Sequence, residues 1–255
     1  MAHPLDGLRR VAADRTWGAS ELVAAAAEEF AALSPDYRFE GIEILLGGHP
    51  EMAPLWHLCN EVLEGRSGDF AALLAAETAA IALTAAPLLH GIVLTHSYSG
   101  TAVRSIVRAA PMKVLCTHSE PGGEGRMTAE ALRAAGLDVE VVADDAVGEV
   151  DFQVAVIGAD AVTPAGVTNK VGTAAVADAA RARGAMSLVL AGAAKLMPVP
   201  LPVPEPFEMV PITAFTAIVT EDGVHGEEEV LAEAAQVKLN EALIRRAARA
   251  VDGTT

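Results

Sequence analysis

Positive charge is what this sequence has least of. Its 255 residues carry 18 lysines and arginines, only four of them lysine (Lys113, Lys170, Lys195 and Lys238), against 34 acids, for a formal net charge of −16. Such a field repels phosphate backbones and anionic lipid, which argues against direct nucleic-acid or membrane partners. A small anion is still allowed, because a pocket can be locally positive inside an acidic shell. Acidity with arginine favoured over lysine also fits a GC-rich or salt-adapted genome. Cysteine is nearly absent: Cys59 and Cys116 cannot build a disulfide framework. Nothing at the N-terminus resembles a signal peptide, so a cytoplasmic protein is expected. Aromatics make up 4% of the chain, and much of its 52% apolar content is alanine, as in helices packed closely on a flat surface. The longest apolar run, Phe70 to Leu89, is interrupted by Glu77 and Pro87 and suits a buried helix better than a membrane span.

The length allows one large domain or two small ones. The first ninety residues read as helices: Glu21–Leu33 behind Ser20 as N-cap, a second around Met52–Leu63, and the alanine-rich stretch Asp69–Ala86. The short run Ile42–Leu46 is too isolated to count as a strand. From Gly91 the texture changes. Strand-like runs at Ile92–Thr95, Lys113–Thr117, Val139–Val142, Gln153–Ile157, Met186–Leu190 and Ala214–Thr220 alternate with helical stretches near Thr101–Ala110, Met127–Ala135 and Gly172–Arg183. That spacing predicts an α/β fold: a small helical domain (1–90), then a Rossmann-like parallel-sheet domain (91–255) that binds a ligand. Pro198–Pro206 reads as a rigid extended connection.

In open parallel sheets, ligands bind beyond the carboxyl ends of the strands. The strand exits here carry His96-Ser97-Tyr98-Ser99-Gly100-Thr101, then His118 to Arg126, then Gly158-Ala159-Asp160 with Asn169-Lys170 ten residues on, and Gly192-Ala193-Ala194-Lys195. Hydroxyls, carboxylates, an amide and two of the four lysines therefore converge on one edge. Free helix N-termini at Ser99–Thr101 and Lys170–Thr173, with Lys170 and Lys195 as point charges, suit a phosphorylated small molecule. Asp160 would repel phosphate and is assigned to a sugar hydroxyl or a proton, although a Gly-Ala-Asp after a strand also serves as a simple turn. Neither G-x-G-x-x-G nor a Walker A string is present, which disfavours dinucleotides and P-loop chemistry. His96, Cys116 and His118 match no familiar ligand spacing, so no metal and no cofactor is expected.

Thr95-His96-Ser97-Tyr98-Ser99, Glu124-Gly125-Arg126, Gly158-Ala159-Asp160-Ala161-Val162, Asn169-Lys170-Val171-Gly172-Thr173 and Phe207-Glu208-Met209-Val210-Pro211 follow in order along the chain. Together they resemble the family uniting the regulatory alpha, beta and delta subunits of translation initiation factor 2B with two aldose-phosphate isomerases. These act on ribose 1,5-bisphosphate and methylthioribose 1-phosphate. The resemblance runs from about Thr16 to about Gly223 and implies a helical N-terminal domain, a Rossmann-like C-terminal domain and a homodimer. It also implies Asp160 as catalytic acid, Asn169, Lys170 and Lys195 as substrate-holding residues, and Ser99, Gly100 and Thr101 as a phosphate-contacting turn. The departures weigh against the isomerases. Ser97 stands where they have a cysteine, and an unassisted hydroxyl is a far poorer base than a thiol. Trp17, His49 and Glu120 stand where they have arginines. Two readings follow: a binder of a phosphorylated sugar or nucleotide without isomerase chemistry, or an aldose-phosphate isomerase working through Asp160 and Ser97.

Overall fold

A computed structural model describes residues 3–66, 69–251 and 253. Five helices come first: α1 (Asp6–Ala13), α2 (Ala19–Ala32), α3 (Arg38–Gly48), α4 (Ala53–Leu63) and α5 (Phe70–Ala85). Ile42–Leu46 lies inside α3. Ser20 does not cap α2; it sits in the first turn, and Gly18 in extended conformation takes the cap position. Leu8, Leu22, Phe30, Leu45 and Trp56 meet in one apolar core between these helices. The Trp56 indole is fully buried and donates to the Pro50 carbonyl at 2.9 Å.

Beyond residue 90 the chain runs β1 (Ile92–Thr95), α6 (Gly100–Ala109), β2 (Lys113–Thr117), α7 (Glu124–Ala134), β3 (Val139–Val142), β4 (Val154–Gly158), β5 (Ala161–Thr163), β6 (Gly166–Lys170), α8 (Thr173–Arg183), β7 (Met186–Leu190), β8 (Phe207–Val210), β9 (Ala217–Val219), β10 (Val224–His225), α9 (Glu227–Ala234) and α10 (Glu241–Val251). Seven strands form one sheet in the order β10-β9-β7-β4-β1-β2-β3, parallel except for the edge strand β10. Side chains alternate across it. Val93, Val154, Val156 and Leu188 face one apolar layer, with α5 and α6; Leu94, Ala155, Ile157 and Val189 face another, with α8. Burial on both faces explains why these strands read as near-continuous apolar runs.

A second, smaller antiparallel sheet, β5-β6-β8, is absent from the sequence reading. It changes the place of two predicted residues: Asn169 and Lys170 are the last residues of strand β6, not the start of a helix. The Asn169 amide donates to the Thr173 hydroxyl (2.9 Å), which donates to the Lys170 carbonyl (2.7 Å), so the pair closes the turn into α8.

α10 returns to the helical layer. Leu243 and Ala247 join the core of α1–α4, and the Asn240 N–H donates to the Asn60 side chain at 2.8 Å. Phe70–Leu88 is long and apolar enough to cross a membrane by length and composition; it is not the buried helix expected from the sequence, since it packs on α6 and α2, places Glu77 on the cleft and leaves Leu73 and Leu83 exposed on its outer side. Trp56→Ala should lower the unfolding free energy by about 3–5 kcal/mol, read by urea titration, because it empties the centre of the helical core and orphans the Pro50 carbonyl.

Candidate functional site

The strand order of the large sheet reverses at β1, which has β4 on one side and β2 on the other. At such a point the following loops part and leave a crevice. A cleft of about 340 Å³ opens there between the strand exits and the helical layer. Ser97, Ser99, Gly100, Thr101, Asp160, Asn169, Lys170 and Lys195, the residues singled out from the sequence, all line it. So do four charged residues that were not among those candidates, Arg15, Glu21, Glu77 and Glu124, the last of them part of the Glu124-Gly125-Arg126 string.

Backbone geometry brings the first two exits together. Ser97 is held at φ +63°, a left-handed conformation uncommon outside glycine. A chain of hydrogen bonds fixes it. The Ser97 N–H donates to Ser119 Oγ (2.8 Å), which lies 2.9 Å from Thr117 Oγ1, itself 2.7 Å from His96 Nδ1; His96 Nε2 donates to the Val171 carbonyl (3.0 Å). Both nitrogens of His96 are thereby engaged away from the Ser97 hydroxyl, and burial holds its pKa below the usual imidazole value. His96 is a buried neutral strut. Gly158 is the matching concession from β4, since a Cβ there would lie 2.5 Å from Ser99 Oγ.

Of the two helix N-termini expected to be open, one is already filled. The Glu208 carboxylate accepts from the N–H groups of Gly172 (2.8 Å) and Ala174 (2.9 Å) at the start of α8. The N-terminus of α6 remains, with Gly100 and Thr101 on the cleft wall and Ser99 Oγ accepting from Ala102. The two lysines also differ. Lys170 is buried and paired with Glu124 at 2.5 Å, whose other carboxylate oxygen is buried without a partner. Lys195 donates to the Ala159 carbonyl and remains partly open to the cleft.

Around Lys195 stand two carboxyls. Burial pushes Asp160 up to about 6, against the pull of Lys195. Burial likewise pushes Glu77 up to about 7, although the Ala194 N–H donates to it at 2.9 Å; Glu221 raises it further. Lys195 is itself held below the usual ammonium value by burial, opposed by Asp160 and Glu77. Gly192 makes room for this cluster, as a Cβ there would lie 2.3 Å from the Glu77 carboxyl carbon. Chemically the arrangement can hold an anion at Lys195 and exchange protons near neutral pH at two sites. Of the three residues that stand where the resemblance expects arginines, Trp17 lines the cleft, His49 is buried beside Glu51 (3.8 Å) in an adjoining cavity, and Glu120 is exposed and outside the cleft lining. Among the described residues no three His, Cys, Asp or Glu side chains gather as a metal site.

Fold and cleft together define a Rossmann-like α/β protein with a helical layer over a polar site at the switch point of its sheet. The chain belongs to the Initiation factor 2 subunit family, whose model matches residues 56–218. It is 31% identical over 195 residues, 66% of this chain and 70% of the relative, to a putative translation initiation factor eIF-2B subunit 2-like protein of Pyrococcus horikoshii. It is 37% identical over 93 residues, 33% of this chain and 30% of the relative, to the ribose 1,5-bisphosphate isomerase of Methanocaldococcus jannaschii. Among solved structures, the translation initiation factor eIF-2B of Pyrococcus horikoshii OT3 superposes with a TM-score of 0.79 at 26% identity, covering 89% of this chain and 98% of that one.

The raised carboxyl of Glu77 has a consequence for stability. The folded state binds that proton more tightly than the unfolded chain, so the contribution is full below about pH 4.5 and lost as pH rises through about 7. Glu77→Gln should therefore stabilise the protein at pH 8 by on the order of 2 kcal/mol, with the gain shrinking toward zero at pH 5, read by denaturant titration at both values.

Proposed function

We propose that this protein binds a phosphorylated sugar or nucleotide in the cleft and does so without the isomerase chemistry of some of its relatives. The observation that carries the reading is the convergence of Ser99, Gly100 and Thr101 at the α6 N-terminus with Asp160, Asn169 and Lys195 on one cavity. The α6 N-terminus offers N–H groups and a positive dipole end to a phosphate, and Lys195 adds a point charge. Asp160 takes a sugar hydroxyl. Ser97 supports the non-catalytic side of the reading: its hydroxyl replaces the thiol of the isomerases that the chain resembles, and His96 is committed to Thr117 and Val171.

A second reading, an aldose-phosphate isomerase opening a 1-phosphate aldose to a ketose, is favoured by the carboxyls of Asp160 and Glu77, which exchange protons near neutral pH. An NMR time course with ribose 1,5-bisphosphate separates the two. The binding reading expects no ketose, with ligand signals broadened by the wild type and not by Lys195→Ala. Ketose formation abolished by Asp160→Asn would establish the isomerase instead. Turnover gained only on Ser97→Cys would show that the remaining machinery is intact and the serine is what silences it.

The helical part (1–90) and the Rossmann-like part (91–255), whose last helix α10 packs back into the core of the first, are read as two domains of a cytoplasmic homodimer. Leu73 and Leu83, 63% and 53% exposed, lie with Ala76 and Ala80 along the outer side of α5, an apolar stripe that suits a second copy. Light scattering should give a dimer mass for the wild type and a monomer mass for Leu83→Glu; a monomeric wild type would refute the pairing.

A further inference from the structure

The cavity that adjoins the cleft measures about 270 Å³ and lies between the α1–α2 turn, the α3–α4 turn and the end of the proline-rich segment at Pro206. Trp17 and Phe207 line both spaces, whereas His49 and Glu51 line this one alone. The α3–α4 turn that carries them is fixed from three sides. Gly48 packs so closely on the end of α1 that a Cβ would lie 2.2 Å from the Ala12 carbonyl oxygen. The Trp56 indole donates to the Pro50 carbonyl, and the Ala53 N–H donates to the Asp160 carbonyl at 2.9 Å. Glu51 is thus held in place, 2% exposed, and nothing satisfies it. Among the described residues it accepts no hydrogen bond, and its one ion-pair contact, His49 Nδ1, is 3.8 Å away. His49 as a neutral ring cannot supply the missing donor. Its Nε2 lies 3.2 Å from the Val11 carbonyl, which only accepts, so the hydrogen sits there and Nδ1 turns a lone pair toward Glu51. A carboxylate taken out of water without a donor is costly, and its placement on a cavity wall calls for a partner.

The rest of the lining decides the sign and shape of that partner. Glu205 adds a second carboxylate. Arg15 is the opposing charge. One of its nitrogens donates to the Ala12 and Asp14 carbonyls (2.8 Å each) and lies 3.4 Å from His49 Nε2, and among the described residues no ion pair joins Arg15 to Glu51 or Glu205. Two carboxylates against one guanidinium leave the space net negative while His49 is neutral. Trp17, Phe207 and three prolines, Pro50, Pro204 and Pro206, make much of the remaining wall apolar. Aromatic faces beside a buried carboxylate are surroundings that hold an organic cation.

We propose that this adjoining cavity is a second ligand site, for a small organic cation with N–H donors, in which Glu51 receives the charged head and Trp17 and Phe207 flank it. The head supplies the hydrogen bonds that Glu51 lacks, and its alkyl part lies against the rings. The proposal does not depend on what occupies the cleft.

Calorimetric titration of the full-length chain with butylammonium chloride, at pH 8 and constant ionic strength, tests it. Saturable binding is expected, accompanied by a change in tryptophan emission that Trp17→Phe removes, since Trp56 is shielded in the core. Glu51→Gln, nearly the same shape without the charge, should weaken binding by about tenfold or more. Arg15→Gln should tighten it by about two- to fivefold, because the opposing charge is gone. That variant keeps Glu51 and so decides the matter even where Glu51→Gln does not fold. Tetramethylammonium, which has no hydrogen to donate, should bind more weakly than butylammonium. The proposal is overturned by an absence of saturable binding, by undiminished binding in folded Glu51→Gln, by weaker binding in Arg15→Gln, or by potassium displacing butylammonium at equal concentration.

Discussion

The reversal of strand order at β1 governs this molecule. A parallel sheet needs helices over both faces, and each connection must carry the chain back across one of them. Where successive connections go to opposite faces, the loops above the strands separate, and the gap cannot be filled by the sheet itself. β1 and β4 sit at that gap, so the residues following them are brought together whatever their separation in sequence. Ser97–Thr101 and Gly158–Asp160 meet because of topology, and small residues at Gly158 and Gly192 set how near the partners come. The helical layer then closes the open side with Arg15, Trp17 and Glu77.

Charge is handled sparingly at that gap. Lys195 is the cation next to two carboxyls that burial keeps reluctant to ionise. When both are charged the cluster is net negative, and when both are protonated it is net positive, so a proton entering the cleft does the same electrostatic work as removing an acid. Negative charge brought next to Lys195 would therefore raise the proton affinity of Asp160 and Glu77. Lys170 plays another part: held by Glu124, it ties the α7 start to the end of β6.

The strands of the large parallel sheet could be read from the sequence to within a residue or so at its centre. β1, β2, β3 and β7 have the bounds read from the sequence, while β4 runs Val154–Gly158, one residue later than the run Gln153–Ile157; in β1, β4 and β7 two covered faces make the apolar run itself the signal. The small sheet could not be read this way. β5 and β6 are short, β6 ends in Thr-Asn-Lys, and β6 pairs with β8 some forty residues later, so its stability comes from contacts that leave no local pattern. Asn169-Lys170 before Gly172-Thr173 looked like a helix opening for that reason. All eight candidate residues could be picked out because strand exits are visible in sequence, and the structure brings them to one cleft. Glu77 was passed over as a break in an apolar run. A signal was present: a carboxylate set among alanines on a packed helix has to find partners somewhere. Arg15 carried no such mark, and Trp17 was singled out only through the resemblance, as a position where the isomerases have an arginine; where both residues lie depends on how the turn at Asp14 folds back over the sheet.

The return of α10 to the first helices sets the order in which this chain can mature. Leu243 and Ala247 complete a core begun by Leu8 and Leu22, and Arg246 reaches back to Glu43 at 3.2 Å with its guanidinium 5.9 Å from the Trp56 ring. During synthesis α1–α4 emerge well before α10, so the part of their core that Leu243 and Ala247 cover stays open while the sheet between them is being made. The sheet can condense from neighbouring βα units as they appear; the helical layer closes only as a ring.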